Sequence, residues 1–142
     1  RTRASQPQKR NVFISFATED LDQVNLLRGQ ARNELSDLEF NDYSLKEPFD
    51  SERSEYIKNG IRERIRQSSV TLVFVSDQTA GSKWVDWEIR ESLSLGKGVI
   101  AVHSGDAPPS SLPAACREHA IRPIAWTQDG INAAIERASQ HR

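Results

Sequence analysis

The chain predicts an α/β fold, with a parallel sheet covered by helices on both faces. Two observations carry that expectation. Strand-like and helix-like stretches alternate about five times along the chain. Val70–Val75 is a run of apolar or β-branched residues without polar alternation, the pattern of a strand buried on both sides. A length of 142 residues suits one domain with a substantial core.

The elements follow in order. Val12–Phe16, apolar apart from Ser15, reads as the first strand. Between Glu19 and Leu35, the residues Leu21, Val24, Leu27, Ala31 and Leu35 recur at helical spacing, so a helix is predicted despite Gly29. Leu38–Tyr43 alternates weakly around Phe40 and Tyr43 and predicts an edge strand. Ser44–Ser54 is polar, holds Pro48 and predicts a loop. Tyr56–Gln67 sets Ile57, Ile61 and Ile65 four residues apart, an amphipathic helix. The Val70–Val75 strand comes next, then a turn over Ser76–Gly81 and a helix around Trp84. Gly96 and Gly98, flanking Lys97, are expected to stop that helix, and Val99–Val102 to form a fourth strand. Asp106–Pro113, with three prolines, is a predicted loop. Ile121–Ala125 predicts a short fifth strand, and Gln128–Ser139 a closing helix with Ile131 and Ile135 inward.

The expected architecture is a flavodoxin-like three-layer fold, a five-stranded parallel sheet in the order 2-1-3-4-5 with helices on both faces. In such sheets ligands bind beyond the carboxyl ends of the strands, where the order reverses, here between the first and third. The Phe16–Asp20 loop and the Ser76–Trp84 turn both emerge at that edge.

Composition narrows the partners. A net charge of −1 gives no global electrostatic reason to bind nucleic acid or a membrane. Arg1, Arg3, Lys9 and Arg10 form a basic arm rich in polar residues; residues 1–9 are expected to be disordered, and the domain to span 10–142. The single Cys116 excludes an internal disulfide framework and fits a reducing compartment, which points to the cytoplasm. It reads as a small, partly buried thiol rather than a nucleophile. No apolar run approaches the roughly 18 residues of a membrane helix. His103 and His119 lack metal-ligand spacing with any Cys or Asp, so no metal site is expected. No Gly-x-Gly-x-x-Gly follows the first strand, which leaves ordinary Rossmann dinucleotide binding without support. The chain begins at Arg1 and contains no Met, so an upstream targeting segment or partner domain stays open.

The informative stretch is Ser82–Ile89. On a helical wheel Val85, Ile89 and Leu93 mark the face that packs on the sheet. Glu88 falls between Trp84 and Ser92 at the edge of that apolar arc, where a carboxylate costs free energy unless it is paired or used. Trp84 lies four residues earlier, so indole and carboxylate share one face. Two structural readings compete with a functional one: a glutamate snorkelling off a buried edge, and one complementing the helix dipole. The second is weaker, because Asp86 sits closer to the first turn. Asp86 points elsewhere on the helix and is the natural control for Glu88.

Several segments together resemble a TIR-like domain, specifically the bacterial group that includes the Thoeris antiphage sensor. They are Val12-Phe13-Ile14-Ser15-Phe16 followed by Glu19-Asp20, the loop Asp42-Tyr43-Ser44-Leu45-Lys46-Glu47-Pro48-Phe49-Asp50, and Ser69-Val70-Thr71 entering the third strand. The most specific is Thr79-Ala80-Gly81-Ser82-Lys83-Trp84-Val85-Asp86-Trp87-Glu88-Ile89, which holds the Trp-x-x-x-Glu spacing of that group as Trp84 and Glu88. The resemblance spans about Lys9 to Gln140. It implies cleavage or cyclisation of NAD+, used as substrate and not as a cofactor, with Glu88 catalytic. It also implies self-association, an ADP-ribose-type product read by a downstream effector, and a role in antiphage defence.

The chemistry makes a single glutamate sensible. Glycosidases usually need two carboxylates, one of them to protonate a poor leaving group. In NAD+ the departing nicotinamide is already a cationic pyridinium, so no general acid is required. One carboxylate can bind the ribose hydroxyls and stabilise oxocarbenium-like charge. Trp84 or Phe16 could wall a flat ring. Water capture of the cation gives ADP-ribose, and capture by the substrate itself gives a cyclic isomer, which demands water exclusion. Ser44–Ser54 is the expected lid.

Other candidate residues carry structural readings alongside. Phe16 fits core packing as well as substrate contact. Asp42 matches the family's aspartate after the second strand and also fits a turn cap. Ser82 fits a helix N-cap as well as a hydroxyl ligand.

Two other classes stay open. A non-catalytic TIR assembly module would use Trp84 and Trp87 for packing or interface. A phosphoacceptor receiver would use Glu19 and Asp20, but it needs an acceptor Asp ending strand three and a Lys ending strand four. This chain offers Ser76-Asp77 and His103.

Overall fold

A computed structural model describes residues 10–34, 38–41 and 49–140. Residues 1–9 of the basic arm, Leu35, Asp42, Tyr43 and the Ser44–Pro48 part of the expected lid lie outside the described residues. Five strands form one parallel sheet in the order β2-β1-β3-β4-β5: β1 (Arg10–Ser15), β2 (Leu38–Asn41), β3 (Val70–Phe74), β4 (Gly98–His103) and β5 (Ile124–Ala125). The helices are α1 (Leu21–Glu34), α2 (Ser54–Arg66), α3 (Lys83–Ser94), α4 (Ala114–Glu118) and α5 (Gln128–Gln140). The α/β class with a parallel sheet between helices is as the sequence predicts. Among the described residues no helix is long and apolar enough to cross a membrane.

Side chains alternate across a strand, and this splits the core in two. Val12, Ile14, Val70, Leu72 and Phe74 point to one face, where α1 and α5 cover them with Val24, Leu27, Ile131, Ala134 and Ile135. The opposite face carries two smaller clusters. Val73 and Val75 meet Val85 and Ile89 of α3, with Ala115 and Cys116 of α4. Phe13 meets Ile57, Ile61 and Ile65 of α2, with Trp84. Val70–Val75 is buried throughout, as expected of a central strand flanked by β1 and β4.

Several boundaries differ from the sequence reading. The first helix begins at Leu21, after a single 3-10 turn over Thr18–Asp20. Arg10 belongs to β1 and not to the arm. The second helix starts at Ser54, inside the predicted loop. The fifth strand is only Ile124–Ala125, and α4, unread in the sequence, precedes it.

The two glycines expected to stop α3 divide the work. Gly96, at φ 77°, takes the left-handed conformation that ends the helix; its N–H donates to Leu93 O at 3.0 Å, and Lys97 N–H donates to Ser92 O at 2.9 Å. Gly98 instead opens β4 beneath α5. A Cβ there would lie 2.7 Å from Ala138 Cβ and 2.9 Å from Ala138 O. Because the backbone itself is in the way, Gly98→Ala is expected to lose about 1–3 kcal/mol by overpacking. A urea midpoint equal to wild type would show that α5 shifts freely off the sheet.

Candidate functional site

The carboxyl ends of β1 and β3 border a cleft of about 330 Å³ lined by Phe16, Thr18, Glu19, Gln78, Gly81, Ser82 and Trp84. Three of the predicted substrate-contact residues, Phe16, Ser82 and Trp84, are thus brought to one cleft. Each also has a structural task. Phe16 follows β1 directly, is 3 % exposed and packs with the α1/α5 core. Ser82 is the N-cap of α3, its Oγ accepting from Val85 N–H at 3.2 Å. Trp84 is 8 % exposed and packs edge-on against Phe49 and Trp87, with centroids 4.9 Å and 6.1 Å away. Lys58 Nζ sits 4.4 Å above the Phe49 ring, and Arg62 5.3 Å from Trp87.

Glu88 is not a wall of the cleft. Its side chain is 0 % exposed, on the sheet-facing side of α3 with Trp84, Val85, Ile89 and Ser92. Ser15, also 0 % exposed, donates its Oγ–H to Glu88 Oε1 at 2.6 Å. That length lies within the ordinary range of an O–H···O hydrogen bond. The carboxylate is therefore held one residue inward from Phe16 on β1 and one helical turn inward from Trp84 on α3. The partly exposed, snorkelling glutamate is ruled out by this burial.

A second bond row lies one turn further along α3. Ser92 Oγ donates to Glu88 O at 2.7 Å, which spends its only hydrogen. Thr71 Oγ1, 2.7 Å from Ser92 Oγ, must then be the donor in that pair. Ser15, Glu88, Ser92 and Thr71 form a polar seam between the two apolar clusters of this face.

Ser15 is the buried partner that sequence reasoning passed over. Strand alternation offered the signal, because Ser15 shares its face with Phe13 and has to meet α3 rather than solvent.

Asp86 is no bystander. Its Oδ2 accepts from Arg90 Nε at 2.8 Å, and its Oδ1 from Ala115 N–H at 2.9 Å, at the start of α4. Arg90 also forks onto Glu118 at 2.9 and 3.0 Å. The hydrogen bonds from Arg90 hold the Glu118 carboxyl below its ordinary range. Asp86 thus ties α3 to α4, and it is unsuitable as the neutral control its sequence position suggested.

At the ends of β3 and β4, Ser76 donates to Asp20 Oδ2, while His103 Nδ1 lies 3.1 Å from Ser104 O. No group of three or more His, Cys, Asp or Glu among the described residues is arranged to hold a metal ion. Cys116 is buried between α4 and the sheet, where burial first and the Asp86 charge second push its thiol up to about 11. It stays protonated at neutral pH, so alkylation by iodoacetamide at pH 7.5 should be far slower in the native protein than in guanidinium. Intact-mass labelling at equal rates in both conditions would contradict this.

A sequence profile described as "Thoeris protein ThsB, TIR-like domain" matches residues 13–108, more than half of the chain. The chain is 30% identical over 98 residues to a Bacillus cereus (strain MSX-D12) protein named "Putative cyclic ADP-D-ribose synthase ThsB1". That match covers 66% of this chain and 51% of the relative, so the chain spans about half the relative's length. Among solved structures, the Clostridium botulinum CMP N-glycosidase BcmB superimposes with a TM-score of 0.54 at 14% identity. It covers 89% of this chain and 98% of BcmB, a likeness of fold alone.

Proposed function

The chain belongs to the TIR-like domain family of the Thoeris protein ThsB, and from that premise we propose that it cleaves NAD+ at the nicotinamide–ribose bond. The product is ADP-ribose or a cyclic isomer, acting as a signal to a downstream effector in antiphage immunity. The observation that supports this reading best is Glu88, fully buried yet hydrogen-bonded at the end of β1, next to a cleft where Phe16, Ser82 and Trp84 meet. The name of the Bacillus cereus relative points to the same chemistry.

In this reading the pyridinium leaves as neutral nicotinamide, and its bond electrons depart with it. The cation left on the ribose carbon is stabilised by the Glu88 carboxylate, which needs no partner acid. Phe16 or Trp84 walls the flat ring, and Ser82 offers a hydroxyl at the start of α3. Asp42 stays a candidate substrate contact by resemblance alone, with a turn cap as its structural reading. Productive binding requires side chains around the carboxylate to move, because it has no exposure as it stands. Activity that awaits a trigger fits such a closed arrangement.

The test is to incubate the purified protein with NAD+ under crowding and resolve the products by mass spectrometry. Nicotinamide together with ADP-ribose or an isomer of it is expected; intact NAD+ across all crowding conditions would overturn the reading. Self-association is part of the proposal, with a neighbour's Ser44–Ser54 loop helping to close the cleft. Turnover per molecule should therefore rise with protein concentration, and a flat rate over a hundredfold range would count against shared sites.

The burial of Glu88 favours one second reading, a non-catalytic TIR assembly module in which the Ser15–Glu88 pair only joins α3 to β1. The receiver alternative has no such support. Family membership displaces it, and Ser76, where an acceptor aspartate would be needed, is bonded to Asp20.

A further inference from the structure

We propose that Ser15 is a positioning residue for Glu88, its hydroxyl holding the carboxylate in one rotamer against the end of β1. The proposal rests on the NAD+-cleaving reading and deepens it. Glu88 is tied directly to β1 and, through Ser92 of its own helix, to β3. Its carboxylate accepts from Ser15 on β1, and its backbone carbonyl accepts from Ser92, which is held by Thr71 on β3. These are the two strands whose carboxyl ends border the cleft.

The bond runs from the Ser15 hydroxyl to Glu88 Oε1, so the serine is the donor that holds the carboxyl group in place. Both side chains are fully buried, and a hydrogen bond in such surroundings is electrostatically stronger than one in water. The preceding inward position on the same strand face is Phe13, which packs among apolar side chains. Packing alone would accept alanine at 15, whereas the hydroxyl answers Glu88. Fixing the carboxylate before substrate arrives removes a reorientation from the reaction step, and its effect therefore falls on turnover rather than on substrate binding.

A double-mutant cycle separates positioning from simple satisfaction of a buried charge. The full chain is assayed with NAD+ as wild type, Ser15→Ala, Ser15→Cys, Glu88→Gln and Ser15→Ala/Glu88→Gln, each with a thermal melt. Ser15→Ala is expected to lower kcat by roughly 10- to 100-fold with little change in KM. In the Glu88→Gln background the same change should cost about twofold or less, because the charge it orients is gone. Ser15→Cys keeps the size and weakens the donor, so a loss between wild type and Ser15→Ala is expected, and this arm decides if Ser15→Ala does not fold. An unchanged kcat in folded Ser15→Ala, or an equal loss in both backgrounds, would overturn the positioning role. So would wild-type turnover in Ser15→Cys when that arm decides. If Glu88→Gln itself turns over like wild type, it is the catalytic reading of Glu88 that fails; a drop there with Ser15→Ala unaffected removes the positioning role alone.

Discussion

Glu88→Gln is expected to lower NAD+ turnover by about 100- to 1000-fold, the usual cost of removing one preorganised electrostatic stabiliser. The substitution preserves size and leaves an amide oxygen to accept from Ser15 Oγ, now 2.6 Å from the carboxylate. It deletes the charge, which is what a cationic ribosyl centre requires. Folding should survive, because a neutral amide is easier to bury than a carboxylate. Glu55→Gln on the exposed side of α2 is the control in place of Asp86→Asn, whose target joins two helices. The readouts are NAD+ consumption and a thermal melt for all three proteins. Full activity in Glu88→Gln would end the catalytic role. Inactivity with a collapsed melting temperature would return the residue to the fold.

The second large effect is on stability. Trp84→Ala should cost about 3–5 kcal/mol, the range for deleting a buried aromatic side chain. Trp84 packs with Phe13, Ile57, Ile61 and Ile65 and meets Phe49 and Trp87 edge-on, so its removal opens a cavity between α2, α3 and β1. Trp84→Phe refills part of that space and should recover much of the loss. Denaturant unfolding measures both variants. If Trp84→Ala loses under 1 kcal/mol, the indole is not a core element and its role lies wholly in the cleft.

Sequence and structure agree where a signal is local. The unbroken apolar run fixes β3, and the isoleucines at spacing four fix α2. The wheel that put Glu88 between Trp84 and Ser92, at the edge of the apolar arc, left its depth open, and the full burial is a finding of the tertiary structure. What escaped was tertiary. The five residues of α4 are too few to show a period, and a remote carboxylate, Asp86, accepts from the Ala115 N–H at its start. A helix anchored from a distance leaves little trace in its own sequence. Ser15 escaped because one serine in an apolar strand looks merely tolerated until its partner across the layers is known. Gly98 reads in the sequence as punctuation, whereas its missing Cβ answers Ala138 in a helix about forty residues later.

The aromatic cluster beside the cleft makes the protein its own optical reporter. Of its three tryptophans, Trp84 and Trp87 stand in edge contact, with Phe49 edge-on to Trp84 and Lys58 and Arg62 near Trp87, while Trp126 packs on the opposite layer. A rearrangement that uncovers Glu88 by moving Trp84, one helical turn away, would disturb the first pair, changing both its burial and the cationic field across the indoles. Emission from Trp126 should be left nearly constant, and Trp126→Phe would remove that background. Opening could then be timed in a stopped-flow trace without a dye, separately from the appearance of product.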